Sequence, residues 1–502
     1  MKLGNFELNC SAIRNVVFVL ICMMAVFIQQ VIAQQILWQR VFDTGVEDYA
    51  EGVATDFQGN IIVVGMTVPQ EIQPPNSEDF LTIKYNSLGD TIWTRRYHLT
   101  VADEAHGVAA DKFGNIIVVG SIHNDSTNAD MHIVKYDPDG RILWTRTYSN
   151  GMEDVGEFAY GVATDSKGNI IVTGRGTSVG HFPNYVTLKY DSSGNFIWMR
   201  EYDGGWTDIA RDVAVDDSDN VIVTGYSNGD MNWDWCTIKY SPDGDTIWVR
   251  RHNVALDDKA DGVTCDKDGN VIVVGRLGQS PTKYAAIVKY SPAGDTLWTK
   301  LFVRPVPLDG LMNFVDVVTD ECENIYTVGL FVLWDNGKDW RDYYVVKCNP
   351  QGDTVWTARY DLNLQDEPKG IALDTEDNII ITGTTSANPS LYQFDYFTVK
   401  LHNVTNGVAE ENFAPHHFSL HPNYPNPFNA STVISYQLPV RSFVSLKVFD
   451  LLGREIETLV AEEKSAGTYT ATWNARNFSS GIYFFRLQAG DFTAVKKCVK
   501  LK

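Results

Sequence analysis

The sequence reads GVAADKFGNIIVVG at residues 107–120, IVKY at 133–136 and DPDGRILWTR at 137–146, and these three pieces give the clearest indication of the fold. The apolar runs have the length of β-strands, and Gly-containing turns such as Asp137-Pro138-Asp139-Gly140 separate them. The same phrase returns on both sides of this segment. Its tryptophan falls at Trp38, Trp93, Trp144, Trp198, Trp248, Trp298 and Trp356.

Each repeat is expected to form four β-strands. The predicted first strand is short, as at residues 52–55, and a D-x-x-G-N turn leads to a continuous apolar second strand such as residues 61–64. The third strand, residues 80–85, is predicted to alternate between buried and exposed positions, and the fourth strand carries the tryptophan. Four-stranded units repeated about every 50 residues are typical of propeller blades. The sequence therefore predicts an all-β fold with a seven-bladed β-propeller over residues 34–402.

The two ends of the repeat region support this count. Residues 36–42 form a fourth strand with Trp38 but without three strands before it, and the last repeat ends near Lys400 without a fourth strand. Together the two fragments make one complete blade. We therefore expect the N-terminal strand to close the propeller and to remove its exposed edges.

The repeat phrases just quoted resemble the SBBP-type β-propeller repeats of bacterial secreted proteins. The resemblance covers residues 36–402. It implies the fold, but it implies no common activity, because such repeats are defined by their architecture.

A linker is predicted at residues 403–415, and the sequence changes character beyond it. Residues 423–429 read NYPNPFN and residues 444–455 read VSLKVFDLLGRE, with Val444, Leu446 and Val448 alternating with polar residues as one buried sheet face requires. This stretch is similar to the type A sorting domain of the type IX secretion system. The resemblance implies that residues 416–502 form an Ig-like β-sandwich, that they interact with the type IX secretion machinery, and that they direct export across the outer membrane.

The first 33 residues are expected to be a signal peptide. Lys2 and Arg14 precede an apolar run from Val16 to Ile28, which is shorter than the roughly 20 residues that span a bilayer, and Ala33 offers a cleavage point. We therefore expect a secreted or outer-surface protein that first reaches the periplasm and has no transmembrane anchor after cleavage. The formal net charge of −22 argues against nucleic acid as a partner.

Candidate ligand-binding residues are expected on the connections that vary between repeats, because binding sites usually lie on variable loops over a rigid scaffold. The sixth repeat departs most from the others and has a long aromatic-rich connection, and neighbouring connections carry further rings. Such rings stack on sugars or anchor peptides, although the alternative is that they pack against the blades. The candidates are Trp233, Trp235, Trp334, Trp340, Tyr343, Tyr392 and Phe394.

A recurring acid five residues before the first-strand valine is the one candidate set for a metal. We expect these carboxylates to accept hydrogen bonds from loop amides, so neither a metal nor a cofactor is predicted, with Ca²⁺ as the alternative. The weak candidates are Asp48, Asp103, Asp208, Asp258 and Asp366.

Three functions remain open at this point. The leading hypothesis is a non-catalytic binding module for an extracellular glycan or protein. A surface scaffold without a defined ligand is the alternative, because the repeats are nearly uniform. A propeller enzyme, either a hydrolase or a quinoprotein, is a third hypothesis, but no catalytic residues are predicted, since the histidines show no ligand spacing and no Ser or Cys partner.

Overall fold

A computed structural model describes residues 36–501 except for 45–46, 69–77, 101, 124–128, 152–155, 178–181, 230–231, 254–256, 279–283, 303–309, 336–337, 361–364, 389–392, 404–409, 412–418, 421–422, 424–425, 427, 439–440, 465–466 and 491. The predicted signal peptide lies outside the described residues. Regular structure within them is entirely β-strand, so no described helix is available to cross a membrane. The chain separates into two compact bodies, a larger one with the repeats and a smaller one at the C-terminus.

The larger body contains seven four-strand units, which we number in chain order. Unit one has β2 (Asp48–Thr55), β3 (Ile61–Thr67), β4 (Asp79–Tyr85) and β5 (Thr91–Tyr97). Unit two has β6 (Ala102–Ala110), β7 (Ile116–His123), β8 (Ala129–Tyr136) and β9 (Ile142–Tyr148). Unit three has β10 (Phe158–Thr164), β11 (Ile170–Thr177), β12 (Pro183–Tyr190) and β13 (Phe196–Tyr202). Unit four has β14 (Thr207–Val215), β15 (Val221–Asn228), β16 (Trp233–Tyr240) and β17 (Thr246–His252).

The other three units follow the same order. Unit five has β18 (Lys259–Cys265), β19 (Val271–Leu277), β20 (Tyr284–Tyr290) and β21 (Thr296–Phe302). Unit six has β22 (Gly310–Thr319), β23 (Ile325–Asp335), β24 (Lys338–Cys348) and β25 (Thr354–Tyr360). Unit seven combines β26 (Gln365–Leu373), β27 (Ile379–Asn388) and β28 (Gln393–Leu401) with β1 (Ile36–Phe42), which pairs antiparallel to β28. Units one to five are separate four-stranded sheets, whereas units six and seven are joined by one parallel bridge, Arg341 to Gln365.

The first strand of each unit packs beside the first strand of the next. The series runs β2, β6, β10, β14, β18, β22 and β26, and β26 in turn contacts β2. The second and third strands are buried on both faces. The predicted alternation of the third strand is therefore wrong: all seven residues of β4 are buried, because neighbouring units cover both of its faces. The first strand is also longer than predicted, beginning at Asp48 rather than at Gly52.

In units one to four and in unit seven, the recurring tryptophan of the fourth strand donates a hydrogen bond to a turn carbonyl of the next unit, whereas the buried indole nitrogen of Trp356 in unit six has no hydrogen-bond partner among the described residues. In unit one, the Trp93 indole donates to the carbonyl of Pro138 (3.0 Å) and Arg95 donates to the carbonyl of Gly140 (2.8 Å) in the turn of unit two. Gly140 has φ 76°, and a Cβ there would stand 3.0 Å from the Trp93 ring, so the turn requires glycine twice over. The N-terminal strand uses the same contacts: Trp38 donates to the carbonyl of Ser87 (3.1 Å) in unit one.

A buried ion pair recurs beneath each tryptophan. In unit two, Lys135 lies 2.9 Å from Asp111, and Asn115 also donates to that carboxylate. Burial raises the pKa of Asp111, but the hydrogen bonds from Asn115 and Lys135 outweigh burial and leave this pKa below its usual value. Equivalent pairs are Asp56–Lys84, Asp165–Lys189, Asp216–Lys239, Asp266–Lys289 and Asp374–Lys400.

Unit six replaces part of this arrangement. The Tyr326 hydroxyl donates to Asp320 (2.8 Å), Asn403 donates to the same hydroxyl (2.7 Å), and Lys347 donates to Asn403 (3.2 Å). Asn403 thus takes the place of the turn carbonyl that other units offer, because the chain leaves unit seven after β28. Glu323 keeps the left-handed conformation (φ 63°) that glycine supplies in the corresponding turns of units one, two, three and five.

The smaller body has two sheets that share one core. Its strands are β30 (Ser419–Leu420), β31 (Ser431–Leu438), β32 (Ser442–Asp450), β33 (Glu455–Lys464), β34 (Gly467–Asn474), β35 (Gly481–Ala489) and β36 (Phe492–Lys500), whereas the two-residue strand β29 (Glu410–Glu411) pairs with β25 in the sheet of units six and seven. One sheet has the order β30-β31-β34 and the other β33-β32-β35-β36. Val444, Leu446 and Val448 are fully buried around Trp473, and the predicted alternation along β32 is confirmed.

Candidate binding site in the central cavity

Every first strand carries a one-residue β-bulge, and the extra residue of each bulge lines a central cavity of about 780 Å³. In β2, for example, Ala50 pairs with Gly65 and Gly52 with Val64, which leaves Glu51 unpaired. Bulges re-aim a side chain away from the regular ladder. We call these seven residues the bulge ring: Glu51, His106, Tyr160, Arg211, Asp261, Val315 and Lys369.

A second set of side chains lies two residues before the bulge ring, nearer the start of each first strand. We call it the mouth ring, because the variable connections between units lead into this end of the strands. The recurring tryptophan and the Asp–Lys pair are the same in nearly every unit, whereas the residue type in both rings varies from unit to unit. The mouth ring is Tyr49, Glu104, Phe158, Ile209, Lys259, Asn313 and Glu367.

Cations and aromatic rings are concentrated on units three to five. Arg175 on β11 stacks over Phe158 (4.2 Å from the guanidinium carbon to the ring centre), and Arg211 stacks over Tyr160 (4.8 Å). Phe158 and Tyr160 are nearly parallel, with 6.2 Å between ring centres. Burial raises the pKa of the Tyr160 hydroxyl, and Arg175 and Arg211 oppose this rise, so both cations act on the same ring.

The same wall continues onto unit five. The Lys259 ammonium lies 4.6 Å from the Tyr226 ring centre and 4.9 Å from that of Trp233. Arg276 on β19 pairs with Asp257 (3.2 Å), and Arg211 faces Asp261 at 3.7 Å. We call Arg175, Arg211, Lys259 and Arg276, together with the rings they stack on, the cationic wall.

Units seven, one and two carry carboxylates instead. Glu51 pairs with Lys369 (3.0 Å), Glu367 pairs with Arg341, and Glu104 lies 3.6 Å from His106. Burial raises the pKa of Glu104, and the nearby Glu78 and Glu51 raise it further against the influence of His123. Burial also lowers the pKa of His106 to about 4, which leaves its imidazole neutral at pH 7. We call Glu51, Glu104 and Glu367 the acidic wall.

Two carboxylates in the cavity replace the glycine that follows the bulge in the other units. Asp212 accepts hydrogen bonds from the amides of Val213 and Val263 (both 2.8 Å). Asp316 likewise accepts from Val317 (2.7 Å) and Ile371 (2.8 Å). Each therefore bridges its own unit to the next one. Burial raises the pKa of Asp212 to about 6, and burial together with the neighbouring Asp212 raises that of Asp316 to about 8.

An exposed aromatic pair stands at the same end of units three and four. Phe182 directly precedes β12, opposite the end of β11 that carries Arg175, and Trp206 directly precedes β14. The side chains are 42% and 50% exposed, and their ring centres are 5.2 Å apart at an angle of 40°. Exposed rings of this size in contact with one another are a feature of ligand-binding surfaces rather than of solvated loops.

The aromatic residues proposed from the sequence lie in different environments. Trp233 joins the cationic wall, whereas Trp235 and Tyr343 are fully buried. Trp235 donates to the carbonyl of Arg276 (2.9 Å) and Tyr343 packs edge-on against Phe397, so both fill the junction between adjacent units. Phe394 lies in β28 and packs on Tyr49 (5.4 Å).

The predicted loop of unit six is not a loop. Trp334 lies in β23 and Trp340 in β24, which pair almost to the end of the hairpin, and the side chains of both lie outside the described part. Tyr392 also lies outside the described residues. The loop assignment of Trp334, Trp340 and Tyr343 is therefore wrong, because the long insertion extends two paired strands.

The five acids considered for metal binding are all fully buried, and four of them accept hydrogen bonds from loop amides. Asp48 accepts from the amide of Thr44 (2.7 Å), Asp103 from that of Leu99 (2.6 Å), and Asp258 from that of Gly278 (2.7 Å). Asp208 accepts from the amide of Gly204, and Asp366 from the hydroxyl of Thr385 (2.6 Å). Potential metal-ligand atoms lie close together in two groups of residues, Asp79–His98–Asp103 and Asp43–Asp48–Asp395.

The residues that sequence reasoning missed are the bulge ring, the cationic wall and the Phe182–Trp206 pair. One signal was present: the residue before the repeat's Gly-Val-Ala changes type in every unit, although its neighbours are nearly constant. A position whose residue type varies inside an otherwise constant repeat indicates a side chain that is not needed to hold the units together.

Comparison with solved structures gives distant similarity. Polysaccharide lyase Uly1 is 11% identical, with 72% of this chain and 91% of that chain covered and a TM-score of 0.45. PorZ, a surface component of the type IX secretion system of Porphyromonas gingivalis, is 12% identical over 91% of this chain and 74% of its own, with a TM-score of 0.27. These values are too low to carry activity over to this chain.

Among curated proteins, the chain is similar to the uncharacterized WD repeat-containing protein L264 of Acanthamoeba polyphaga mimivirus, at 31% identity over 131 residues. That match covers 23% of this chain and 9% of the other, so the chain spans less than a tenth of that protein's length. Residues 423–501 match the family model described as the secretion system C-terminal sorting domain, and this match places the chain among proteins exported to the cell surface or secreted.

Proposed function

We propose that this chain is a non-catalytic glycan-binding protein, exported through the type IX secretion system, whose larger body is a closed seven-bladed β-propeller. The observation that carries the proposal is the exposed Phe182–Trp206 pair, which lies at the same end of the strands as the mouth ring. A cavity of about 780 Å³, which is within the range of small-molecule sites, is lined by the bulge ring. Flat aromatic faces suit the apolar faces of sugar rings.

The closed propeller is supported by two observations. The first strands contact one another in a series that returns from β26 to β2. Trp38 and Arg40 of β1 bind the turn of unit one through the carbonyls of Ser87 and Gly89, as the equivalent residues of other units bind their neighbours. A rigid ring of this kind would hold the seven bulge residues at fixed distances from one another, which is what preorganised binding needs.

The non-catalytic part of the proposal rests on how the cavity carboxylates are used. Asp212 and Asp316 each accept two backbone hydrogen bonds, and Asp261 and Glu51 face cations. Carboxylates engaged in this way serve the framework or the charge balance. A scaffold without a ligand is the competing hypothesis, and a binding screen separates the two.

The binding proposal is tested by screening the purified protein on a glycan array and measuring the affinity of the best glycan by calorimetry. Trp206→Ala is expected to weaken this affinity at least tenfold, about 1.4 kcal/mol, because a ring lost from the centre of a site removes stacking area. Phe113→Ala is the matched control, since Phe113 is 60% exposed on a turn between the first two strands of unit two. Equal affinity for both variants, or an array without any bound glycan, would support the scaffold instead.

Export is tested in the native host. Removal of residues 416–502 is expected to leave the remaining protein in the periplasm, because the proposed signal peptide still directs passage across the inner membrane. The resemblance to type A sorting domains also implies that this domain is removed after export, so we propose that the external protein ends near residues 403–415. Cell fractionation and intact mass measure both outcomes, and efficient external delivery of the shortened chain would refute the sorting role.

A further inference from the structure

The charges around the cavity are segregated, and this segregation bears on the kind of glycan bound. The chain has a formal net charge of −22, yet the four cations of the cationic wall cluster on three consecutive units. The acidic wall lies on units seven, one and two. A ligand that enters the cavity therefore meets an excess of cations on one side and an excess of carboxylates on the other, with pairs such as Arg211–Asp261 and Glu51–Lys369 present on each.

The cationic wall has unused hydrogen-bond donors. The Nε atoms of Arg175 and Arg276 are buried and have no hydrogen-bond partner among the described residues. Arg175 also forms no ion pair with any described carboxylate, and its guanidinium is held in place by stacking on Phe158. A buried donor without an acceptor costs about 1–3 kcal/mol, so a ligand that supplies an anionic oxygen here gains both the charge interaction and the missing hydrogen bond.

The acidic wall determines towards which side of the cavity the anionic group of the ligand points. The pKa of Glu104 is raised by burial and by the charges of Glu78 and Glu51, so anionic groups are already crowded on that side. A negatively charged substituent is repelled from units seven, one and two and is directed to Arg175, Arg211 and Lys259. The same repulsion disfavours a long polyanion that would have to cross the acidic surface of the chain.

On the basis of the glycan-binding function proposed above, we infer that the ligand is a short acidic saccharide. Its sugar ring stacks on the Phe182–Trp206 pair, and its carboxylate or sulfate group binds Arg175 and Lys259. Arginine presents several donors in one plane, which suits both kinds of oxyanion. Lys259, whose ammonium lies close to the rings of both Tyr226 and Trp233, adds a point charge at the mouth.

The inference is tested with matched saccharide pairs that differ in charge alone. Tri-galacturonic acid is compared with its methyl ester, and a κ-carrageenan tetrasaccharide with its desulfated counterpart, so the two pairs distinguish carboxylate from sulfate. We expect the charged member of one pair to bind at least tenfold more tightly than its neutral counterpart. Arg175→Gln and Lys259→Gln should remove this difference, while Lys267→Gln, which changes an exposed lysine paired with Glu321, should keep it.

The outcomes separate this inference from the function on which it rests. If charged and neutral members bind alike and Trp206→Ala weakens both, the glycan site stands and its acidic specificity is overturned. If neither pair binds but a neutral glycan from the array does, the glycan site likewise stands and its acidic specificity is overturned. If no glycan binds at all, both proposals fail. Melting temperatures within about 2 degrees of wild type, measured for every variant, exclude unfolding as the cause of lost binding.

Discussion

The framework between units and the lining of the cavity follow opposite rules in the same protein. The framework repeats one solution: an Asp–Lys pair below a tryptophan that is bound to the next turn, as in Asp111, Lys135 and Trp144. The bulge ring has a different residue type in every unit, from Glu51 to Lys369, and the mouth ring repeats only glutamate. Residues that are repeated in the units assemble the fold, and residues that vary inside the same repeat are available for ligand recognition.

The largest expected effect comes from breaking the framework. Lys135→Met leaves the Asp111 carboxylate buried without its cation and should destabilise the protein by about 3–5 kcal/mol. Urea unfolding of the purified protein measures the loss. Lys267→Met is the control, because Lys267 and Glu321 are both exposed and solvent screens such a pair, so its loss should have little effect on stability. Similar losses for the two variants would mean that the repeated pair is not a structural element.

A smaller and pH-dependent effect is expected from the cavity carboxylates. The pKa of Asp316 is about 8 against an ordinary 3.8, so the folded state loses stability as the pH rises from about 4 to 8. Asp316→Asn removes the charge and keeps only one of the two acceptor oxygens that bind the amides of Val317 and Ile371, so the lost hydrogen bond offsets part of the gain. This substitution should therefore stabilise the protein by about 2–4 kcal/mol at pH 9 and by little at pH 4.

The framework carboxylate Asp111 supplies the contrast for this experiment. Its pKa lies below the ordinary value, since hydrogen bonds from Asn115 and Lys135 outweigh its burial. The stability that it contributes is therefore present at neutral pH and is lost as the pH falls. Asp111→Asn should destabilise the protein at pH 7 and have less effect in acid. Melting curves from pH 4 to pH 9 that show the same pH trend for both variants would contradict the comparison.

Much of the fold was predictable because it repeats. The seven tryptophans at intervals of 50 to 58 residues and the Gly-containing turns located the strands, and β1 was placed against β28 from the two incomplete repeats. The candidate site was harder to predict. Trp235 and Tyr343 were predicted to be ligand-binding residues on variable connections, but both lie in third strands, where a large ring fills the junction with the next unit.

The sequence by itself determined the repeat, its strands, the alternating core of the C-terminal body and the sorting motifs, because each depends on neighbours within a few residues of the chain. Only the tertiary structure decided which side chains meet in the cavity. Arg175, Arg211 and Lys259 are up to 84 residues apart in the chain and become neighbours because β11 of unit three packs against β14 of unit four, which in turn packs against β18 of unit five. The bulge turns one residue per unit towards the cavity, and its position becomes evident only when the two strands are paired.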